Sequence, residues 1–251
     1  MWWQQTACLW LNGPSVHLLK TKRTWYGRVA FRQGHWEYEA RRAPDWMGQE
    51  DAVQSALPDL LQRYGLTGWR LRILIGGPSV LWKRLSLGTP DRQEADALIA
   101  GAGLVSEEGR AYDFEAACPA KGDGGLYDWT VGAYPEECVT AICQTCSQAG
   151  AVIQSIDLLP AFLGRLWPWG TGTLIFQEAP DGQQHRVRLT DGLPLAYDVQ
   201  PVTPSAEMPP FRWLPEGADD ADWQAAGPSP AVRRLMEDCQ LTQATALLAF
   251  L

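Results

Sequence analysis

The first forty residues alternate between apolar and polar positions in short runs, which is the period-two pattern of β-strands. Apolar runs at 7–11 and 16–19 flank the turn signal Asn12-Gly13-Pro14-Ser15, and the alternation resumes over 26–39. The pattern predicts a three-stranded meander, with a further turn at Gln33-Gly34.

Helical and strand patterns alternate over the next hundred residues. Apolar residues three and four positions apart predict a helix that ends at Gly65. Pro58 is expected to kink this helix or to start its second part, and Thr89 is expected to cap a second helix. Helices are predicted near 53–64, 89–102, 135–149 and 158–166, and strands at 69–75, 80–87, 111–118, 126–133 and 151–156. The order of elements indicates an α/β protein.

A second meander of three strands is predicted over 173–199, with turns at Asp181-Gly182 and Asp191-Gly192. Residues 200–230 are rich in Pro, Ala, Gly and Asp, which favours a long loop before one or two C-terminal helices. A β-β-β unit therefore occurs in both halves of the chain.

The charge balance narrows the class of partner. The 251 residues carry a net charge of −8, and the sequence pI is near 4.9. Nucleic acid and anionic lipid both need a clustered basic surface, and the basic run at 20–23 is short enough to be a solvated strand edge. With no signal-peptide pattern and no apolar stretch of about 20 residues, a cytoplasmic protein is expected.

Tryptophan is unusually frequent, with 13 residues against 7 Tyr and 6 Phe. Such a content fits either a stacking surface for sugars or a set of large core side chains. Because the tryptophans are scattered along the chain, core packing is favoured.

No local motif supports catalysis or a metal site. Cys138, Cys143 and Cys146 have C-x4-C-x2-C spacing, but they fall along a predicted helix with Cys146 on its apolar face, which favours buried core thiols. The histidines lie in separate strands, and there is no G-x-S-x-G or H-E-x-x-H motif. The segment 170–173 has two glycines that could cradle phosphate, but it opens into a strand. An enzyme is not expected.

Three segments carry a resemblance to a known family. In the first, 75–87, a strand pair is broken by Gly-Gly-Pro-Ser, and in the second, 111–115 followed by 129–139, a strand runs into a helix. The third segment is 149–161, which runs from Ala-Gly-Ala to Leu-Leu-Pro-Ala. From Trp69 to Leu166 the chain resembles the PilM group of type IV pilus and competence assembly proteins, and the related cytoplasmic domain of the type II secretion L protein.

This resemblance implies actin-like (ribonuclease H-like) lobes, with a first lobe at 1–166, a small inserted α+β subdomain at about 89–150, and a reduced second lobe at 167–251. It also implies a cytoplasmic scaffold, peripheral to the inner membrane, that binds the N-terminal tail of an inner-membrane PilN-like protein. If that partner is a peptide, an exposed strand edge or an apolar groove between the first lobe and the inserted subdomain is the expected site.

Nucleotide-binding members of this group carry an acidic residue in each meander, and this chain has neither at the corresponding positions. Residues 9–16 hold Trp or Leu where the first acid belongs, and 169–173 lack the second. Hydrolysis is therefore not expected, since the acids would position Mg²⁺ and water. If ATP did bind, the candidate residues are Asn12, Gly13, Ser15, Gly170 and Gly172.

Three hypotheses follow from the sequence. The first is a non-catalytic scaffold of a pilus, competence or secretion machine, with no metal or cofactor. The second is an actin-like ATP-binding protein that uses the nucleotide as a switch. The third is a Trp-rich carbohydrate-binding or metabolic protein, which would require several Trp faces to line one cleft.

Overall fold

The computed structural model describes residues 5–12, 15–23, 29–37, 46–103, 111–116, 120–121, 123–168, 170–178, 183–201, 211–218, 224–225, 234, 237–240 and 247–251. The strands are β1 (Gln5–Asn12), β2 (Ser15–Arg23), β3 (Val29–Glu37), β4 (Arg70–Gly76), β5 (Leu81–Leu87), β6 (Tyr112–Ala116), β7 (Ala120–Lys121), β8 (Tyr127–Pro135), β9 (Val152–Leu158), β10 (Gly172–Glu178), β11 (Gln183–Thr190), β12 (Leu193–Pro201), β13 (Phe211–Pro215) and β14 (Gln224–Ala225). The helices are α1 (Glu50–Arg63), α2 (Arg92–Gly101), α3 (Glu136–Gln148) and α4 (Leu159–Leu166), with short 3₁₀ turns at Trp46–Gly48 and Asp123–Gly125.

The first lobe is built on a five-stranded sheet in the order β3-β2-β1-β4-β9. The predicted meander is confirmed: β1, β2 and β3 pair antiparallel, whereas β4 and β9 run parallel to β1 and β4 respectively. The predicted turn at Gln33-Gly34 is wrong, because β3 continues through it and Gly34 pairs with Leu18. Gly34 instead makes room for a ring, since a Cβ there would lie 2.7 Å from Cε1 of Tyr64.

Helices α1 and α3 cover one face of this sheet. Their apolar sides share a buried cluster with the strand residues of that face, including Leu9, Ile73 and Cys138. Pro58 does not divide α1, which the structure shows as a single helix. Its end is confirmed at Gly65, where φ is +56° and the amides of Gly65 and Leu66 bond back to Gln62 and Leu61 in a Schellman motif.

The inserted subdomain is a separate antiparallel sheet in the order β5-β8-β6, with β7 also paired to β8. Helix α2 packs on one face through Ala95 and Ile99. The predicted cap at Thr89 is wrong: the side chain of Asp91 accepts the amide of Glu94, while Thr89 Oγ1 bonds the Glu94 carboxylate.

The strands of this sheet span 81–135, whereas 89–150 was the predicted range of the inserted subdomain. The difference arises at both ends. Strand β5 precedes residue 89 and pairs with β8, and α3 follows residue 135 but packs on α1 in the first lobe. The division of the chain into domains stays a prediction.

The second lobe carries a five-stranded antiparallel sheet in the order β12-β11-β10-β13-β14. The second predicted meander, β10 to β12, is confirmed. The predicted long loop over 200–230 is wrong in part, because β13 lies inside it and pairs along β10. Phe211-Arg212-Trp213-Leu214 has strand alternation that the surrounding proline-rich composition obscured.

The two lobes share an apolar core in which α4 lies between their sheets. Trp10 and Leu74 of the first sheet pack with Phe162 of α4 and with Phe176 and Phe211 of the second sheet. Leu247 and Leu248 near the end of the chain are buried in the same core. Among the described helices, none is long and apolar enough to cross a membrane.

Candidate functional site

A groove of about 520 Å³ lies between the inserted subdomain and the first lobe. Its lining combines apolar side chains with two arginines and two aspartates. These residues are Trp82, Arg92, Asp113, Phe114, Ala116, Thr130, Gly132, Tyr134, Val139, Ile156, Asp157, Leu158, Ala161 and Arg165. The volume falls within the range of small-molecule and cofactor pockets, roughly 300–1,000 Å³.

Two edge strands border the groove. Among the described strands, β9 is the last strand of the first sheet and pairs only with β4, and β6 is an end strand of the sheet in the inserted subdomain. Residues 156–158 of β9 and residues 113, 114 and 116 of β6 contribute to the lining. Edge strands present unpaired backbone groups, so an extended segment in the groove can bond to the chain without special side chains.

Local packing sets the floor of the groove. The six-membered ring of Trp82 lies against Gly132, where a Cβ would sit 2.9 Å from Cε3 of the ring and 3.0 Å from Cδ1 of Leu158. Only glycine allows this approach. The α4 wall contributes Ala161 and Arg165, which are one helical turn apart and therefore share a face.

Charged groups surround this floor in pairs of opposite sign. Arg165 bonds Asp157 at 2.9 Å within the lining. On the same face of the inserted subdomain, the hydroxyl of Ser86 and the guanidinium of Arg84 bond Asp128, and these contacts hold the pKa of that carboxyl below its usual value. The groove therefore has no strong single-sign field, which favours a partner recognised by shape and backbone bonds.

The sequence-predicted nucleotide residues lie away from this groove. Asn12 and Ser15 are cross-strand partners at the ends of β1 and β2, and both are fully buried. The side-chain amide of Asn12 has no hydrogen-bond partner in the described part of the chain. Gly13 lies outside the described residues.

Gly170 and Gly172 serve a packing role in the structure. A Cβ on either glycine would meet the indole of Trp213, at 2.7 Å and 2.9 Å respectively. The glycines are therefore covered by a ring of β13. The structure brings Asn12 and Ser15 together as cross-strand partners, and it gathers Gly170 and Gly172 under Trp213. Their role in nucleotide binding stays a prediction.

The interface between the lobes is filled by aromatic rings. Trp10 packs on Phe176 with ring centroids 5.0 Å apart, and Phe176 packs on Phe211 at 4.5 Å. His185 is fully buried here; burial lowers its pKa to about 3, so the imidazole is neutral. Its Nδ1 lies 2.8 Å from the hydroxyl of Tyr197, which accepts the amide of Gly77.

The prediction of buried core thiols is confirmed for Cys138 and Cys146 and is wrong for Cys143, which is on the exposed side of α3. Cys138 and Cys146 are buried on α3, and burial raises the pKa of Cys146 to about 12, so its thiol is protonated and inert at neutral pH. Cys143 is exposed, and partial burial with the nearby Asp113 raises its pKa as well. Within the described ranges, no three His, Cys, Asp or Glu side chains are placed to hold a metal ion.

The tryptophans disperse into separate cores. Trp46, Trp10 and Trp129 are each buried in a different apolar cluster, and Trp82 is the one described tryptophan that lines the groove. The prediction of core packing is confirmed for these residues. A stacking surface for sugars would require several indole faces in one cleft.

Sequence reasoning predicted a groove at this junction but named none of its residues. The sequence places Trp82 in a predicted strand but does not show that it lies opposite a glycine. The pairing of Trp82 with Gly132 depends on the register of β5 against β8, which a single sequence does not specify.

No family model matches the chain, and no curated protein matches it in sequence. Among solved structures, the PilM–PilN type IV pilus biogenesis complex aligns with 97% of this chain and 68% of the other, at 14% identity and a TM-score of 0.54. The cytoplasmic domain of EpsL, an inner-membrane component of the type II secretion system of Vibrio cholerae, aligns with 77% of this chain and 71% of that domain, at 11% identity and a TM-score of 0.46.

The predicted fold class is confirmed by the structural likeness to the PilM–PilN complex together with the two meanders and the parallel strands β4 and β9. The chain therefore has an α/β, actin-like fold that is similar to the structure of the PilM–PilN complex.

Proposed function

We propose that this protein is a non-catalytic assembly scaffold whose groove binds an extended segment of a membrane-anchored partner. The observation that carries the proposal is the groove of about 520 Å³ between two sheets that both end at it in an edge strand. The likeness to the PilM–PilN complex supports the choice of a PilN-like partner. The segment that we propose to bind is the N-terminal cytoplasmic tail of that partner.

The lining suits a peptide better than a compact metabolite. An added strand gains backbone hydrogen bonds from the edge it joins, and its alternate side chains point to opposite sides. The lining holds apolar side chains such as Ile156 and Val139 and charged side chains such as Asp113 and Arg92. A partner segment with alternating apolar and polar residues matches this mixture.

Within this proposal, the protein works on the cytoplasmic side of the inner membrane and reaches the membrane through its partner. The machine is a type IV pilus, competence or type II secretion apparatus. The partner supplies the anchor, and the chain described here supplies a rigid platform of two lobes that share one core.

The test is a calorimetric titration of the purified protein with a synthetic peptide of the N-terminal cytoplasmic residues of the PilN-like protein from the same genome. Ala161 lies on the α4 wall, so Ala161→Phe places a ring in the groove and is expected to weaken binding at least ten-fold. The matched control is Ala100→Phe on the exposed side of α2, outside the lining. Equal affinity in both variants would contradict the proposal.

We also propose that nucleotide plays no part in this role. Asn12 and Ser15 are fully buried, and Trp213 covers Gly170 and Gly172, so binding of ATP at the predicted residues would require the lobes to separate. Titration with Mg-ATP is expected to give no heat and no change in melting temperature. A saturable signal that Asn12→Ala abolishes would instead support the ATP-switch hypothesis.

A further inference from the structure

Trp82 belongs to two contacts at once. Its ring lines the groove against Gly132, and its indole Nε1–H donates a 2.9 Å hydrogen bond to the carbonyl oxygen of Pro194 in the second lobe. Pro194 stands near the start of β12, directly after the turn at Asp191 and Gly192. One side chain thus connects the floor of the groove to a hairpin of the other lobe.

The α4 wall of the groove reaches the same hairpin. Gly164 lies between the wall residues Ala161 and Arg165 in sequence, and a Cβ on it would sit 2.5 Å from the carbonyl oxygen of Gly192 and 3.0 Å from Cδ of Pro194. The amide of Gly192 in turn bonds the carbonyl of Gly170 at 3.0 Å. The turn between β11 and β12 is therefore held from both sides of the groove.

We propose that occupation of the groove is coupled to docking of the β11–β12 turn through Trp82, and that the two oppose each other. This inference rests on the proposed function of the groove. The ring cannot sink toward Gly132, because there is no room for even a methyl group beneath it. Because the ring has no room on the Gly132 side, an occupant that displaces it moves the indole away from Gly132 and breaks its bond to Pro194.

Coupling of this kind is reciprocal, so a substitution that removes the hydrogen bond between Trp82 and Pro194 should raise the affinity of the groove for its occupant. Trp82→Phe keeps a ring on Gly132 but removes the donor to Pro194. It is expected to raise the affinity for the PilN-like peptide about five-fold, the factor that one net hydrogen bond supplies. Hydrogen exchange at the amide of Gly192 is the independent readout, and it should be faster in this variant by a similar factor.

Gly132→Ala tests the coupling without any partner, because its methyl group pushes the ring away from within the chain. It is expected to speed hydrogen exchange at the amide of Gly192. Gly88→Ala is the matched control in the same subdomain and should leave this exchange unchanged, because nothing lies within 4 Å of a Cβ at Gly88. In the unsubstituted protein, saturating peptide should speed exchange at Gly192, and in Trp82→Phe it should add nothing.

The outcomes separate the two proposals. A peptide that binds but leaves exchange at Gly192 unchanged overturns the coupling and leaves the proposed function standing. A peptide that fails to bind overturns the proposed function, while Gly132→Ala still reports whether moving Trp82 releases the turn. Unchanged exchange in both Trp82→Phe and Gly132→Ala overturns the coupling outright.

Discussion

Helix α4 separates two clefts of opposite character. On the side that carries Ala161 and Arg165 lies an open groove with paired charges and two strand edges. On the side that carries Phe162 and Leu163, the space between the two sheets is filled by rings and excludes solvent. The comparison indicates that the cleft between the lobes contributes to stability. The groove at the inserted subdomain has the exposed backbone and side chains that a binding site needs.

The largest expected loss of stability follows from a substitution in the filled cleft between the lobes. Phe176 packs on Trp10 and Phe211 and is almost fully buried, so Phe176→Ala should cost about 3–5 kcal/mol of the free energy of unfolding. Urea unfolding followed by circular dichroism measures this loss. Leu98→Ala on the exposed face of α2 is the control, with an expected change within about 0.5 kcal/mol. A loss below about 1 kcal/mol in Phe176→Ala would mean that the interface between the lobes is not a core.

The next largest effect concerns a glycine that was predicted to touch phosphate. Gly172 has φ +146°, and a Cβ there would meet the backbone of Leu214 and the indole of Trp213. Gly172→Ala should therefore cost about 2–4 kcal/mol from backbone strain and overpacking together. Thermal unfolding checks this expectation. A fully stable Gly172→Ala protein with impaired binding of Mg-ATP would restore Gly172 as a ligand contact.

Particular residues show which parts of the structure could be predicted from the sequence. Alternation predicted the strands of both meanders, and three- and four-residue spacing predicted α1 and α3, because each pattern reports which face of an element is buried. The glycines were less informative. Gly34 was predicted to lie in a turn and Gly172 to contact phosphate, but each makes room for a ring that arrives from a distant segment, Tyr64 and Trp213 respectively.

The groove was predictable only in its location. The resemblance to the PilM group implied the inserted subdomain, and its junction with the first lobe was expected to offer an exposed strand edge or an apolar groove. The identity of the lining depends on long-range register and on the approach of α4 to the second lobe, which no local pattern encodes. His185 is a similar case, because its burial follows from the packing of one lobe on the other.

A third prediction uses the neutral imidazole in the filled cleft. The pKa of His185 is about 3 in the folded chain and about 6.5 when unfolded, so between these values the unfolded chain binds a proton that the folded chain does not. Above pH 6.5 the imidazole is neutral in both states, and the stability that the neutral imidazole allows is fully present. As the pH falls from 6.5 toward 3, the free energy of unfolding decreases, and the loss reaches about 2 kcal/mol at pH 5. Urea unfolding at pH 7, 6 and 5 measures it.

His185→Gln is the reference for that series, since it removes the titrating group while keeping a polar side chain near Tyr197. The difference between the two proteins should vary with pH over this window, whereas carboxylates common to both cancel. A difference that stays constant from pH 7 to 5 would show that the imidazole reaches solvent, and that the cleft between the lobes opens more readily than its aromatic packing implies.

The smallest expected effect lies on the open side of α4. Arg165 bonds Asp157 at 2.9 Å, but the arginine side chain is 55% exposed, so solvent screens the pair. Arg165→Gln should change the free energy of unfolding by less than about 1 kcal/mol, and by less still at high salt. Arg92→Gln, which removes a longer pair with Asp96 on α2, is a matched control for stability. The same two substitutions should alter the affinity for the peptide, because both arginines line the groove. A loss of stability in Arg165→Gln as large as that in Phe176→Ala would erase the contrast between the two clefts, since the groove wall would then be as much a part of the folding core as the interface between the lobes.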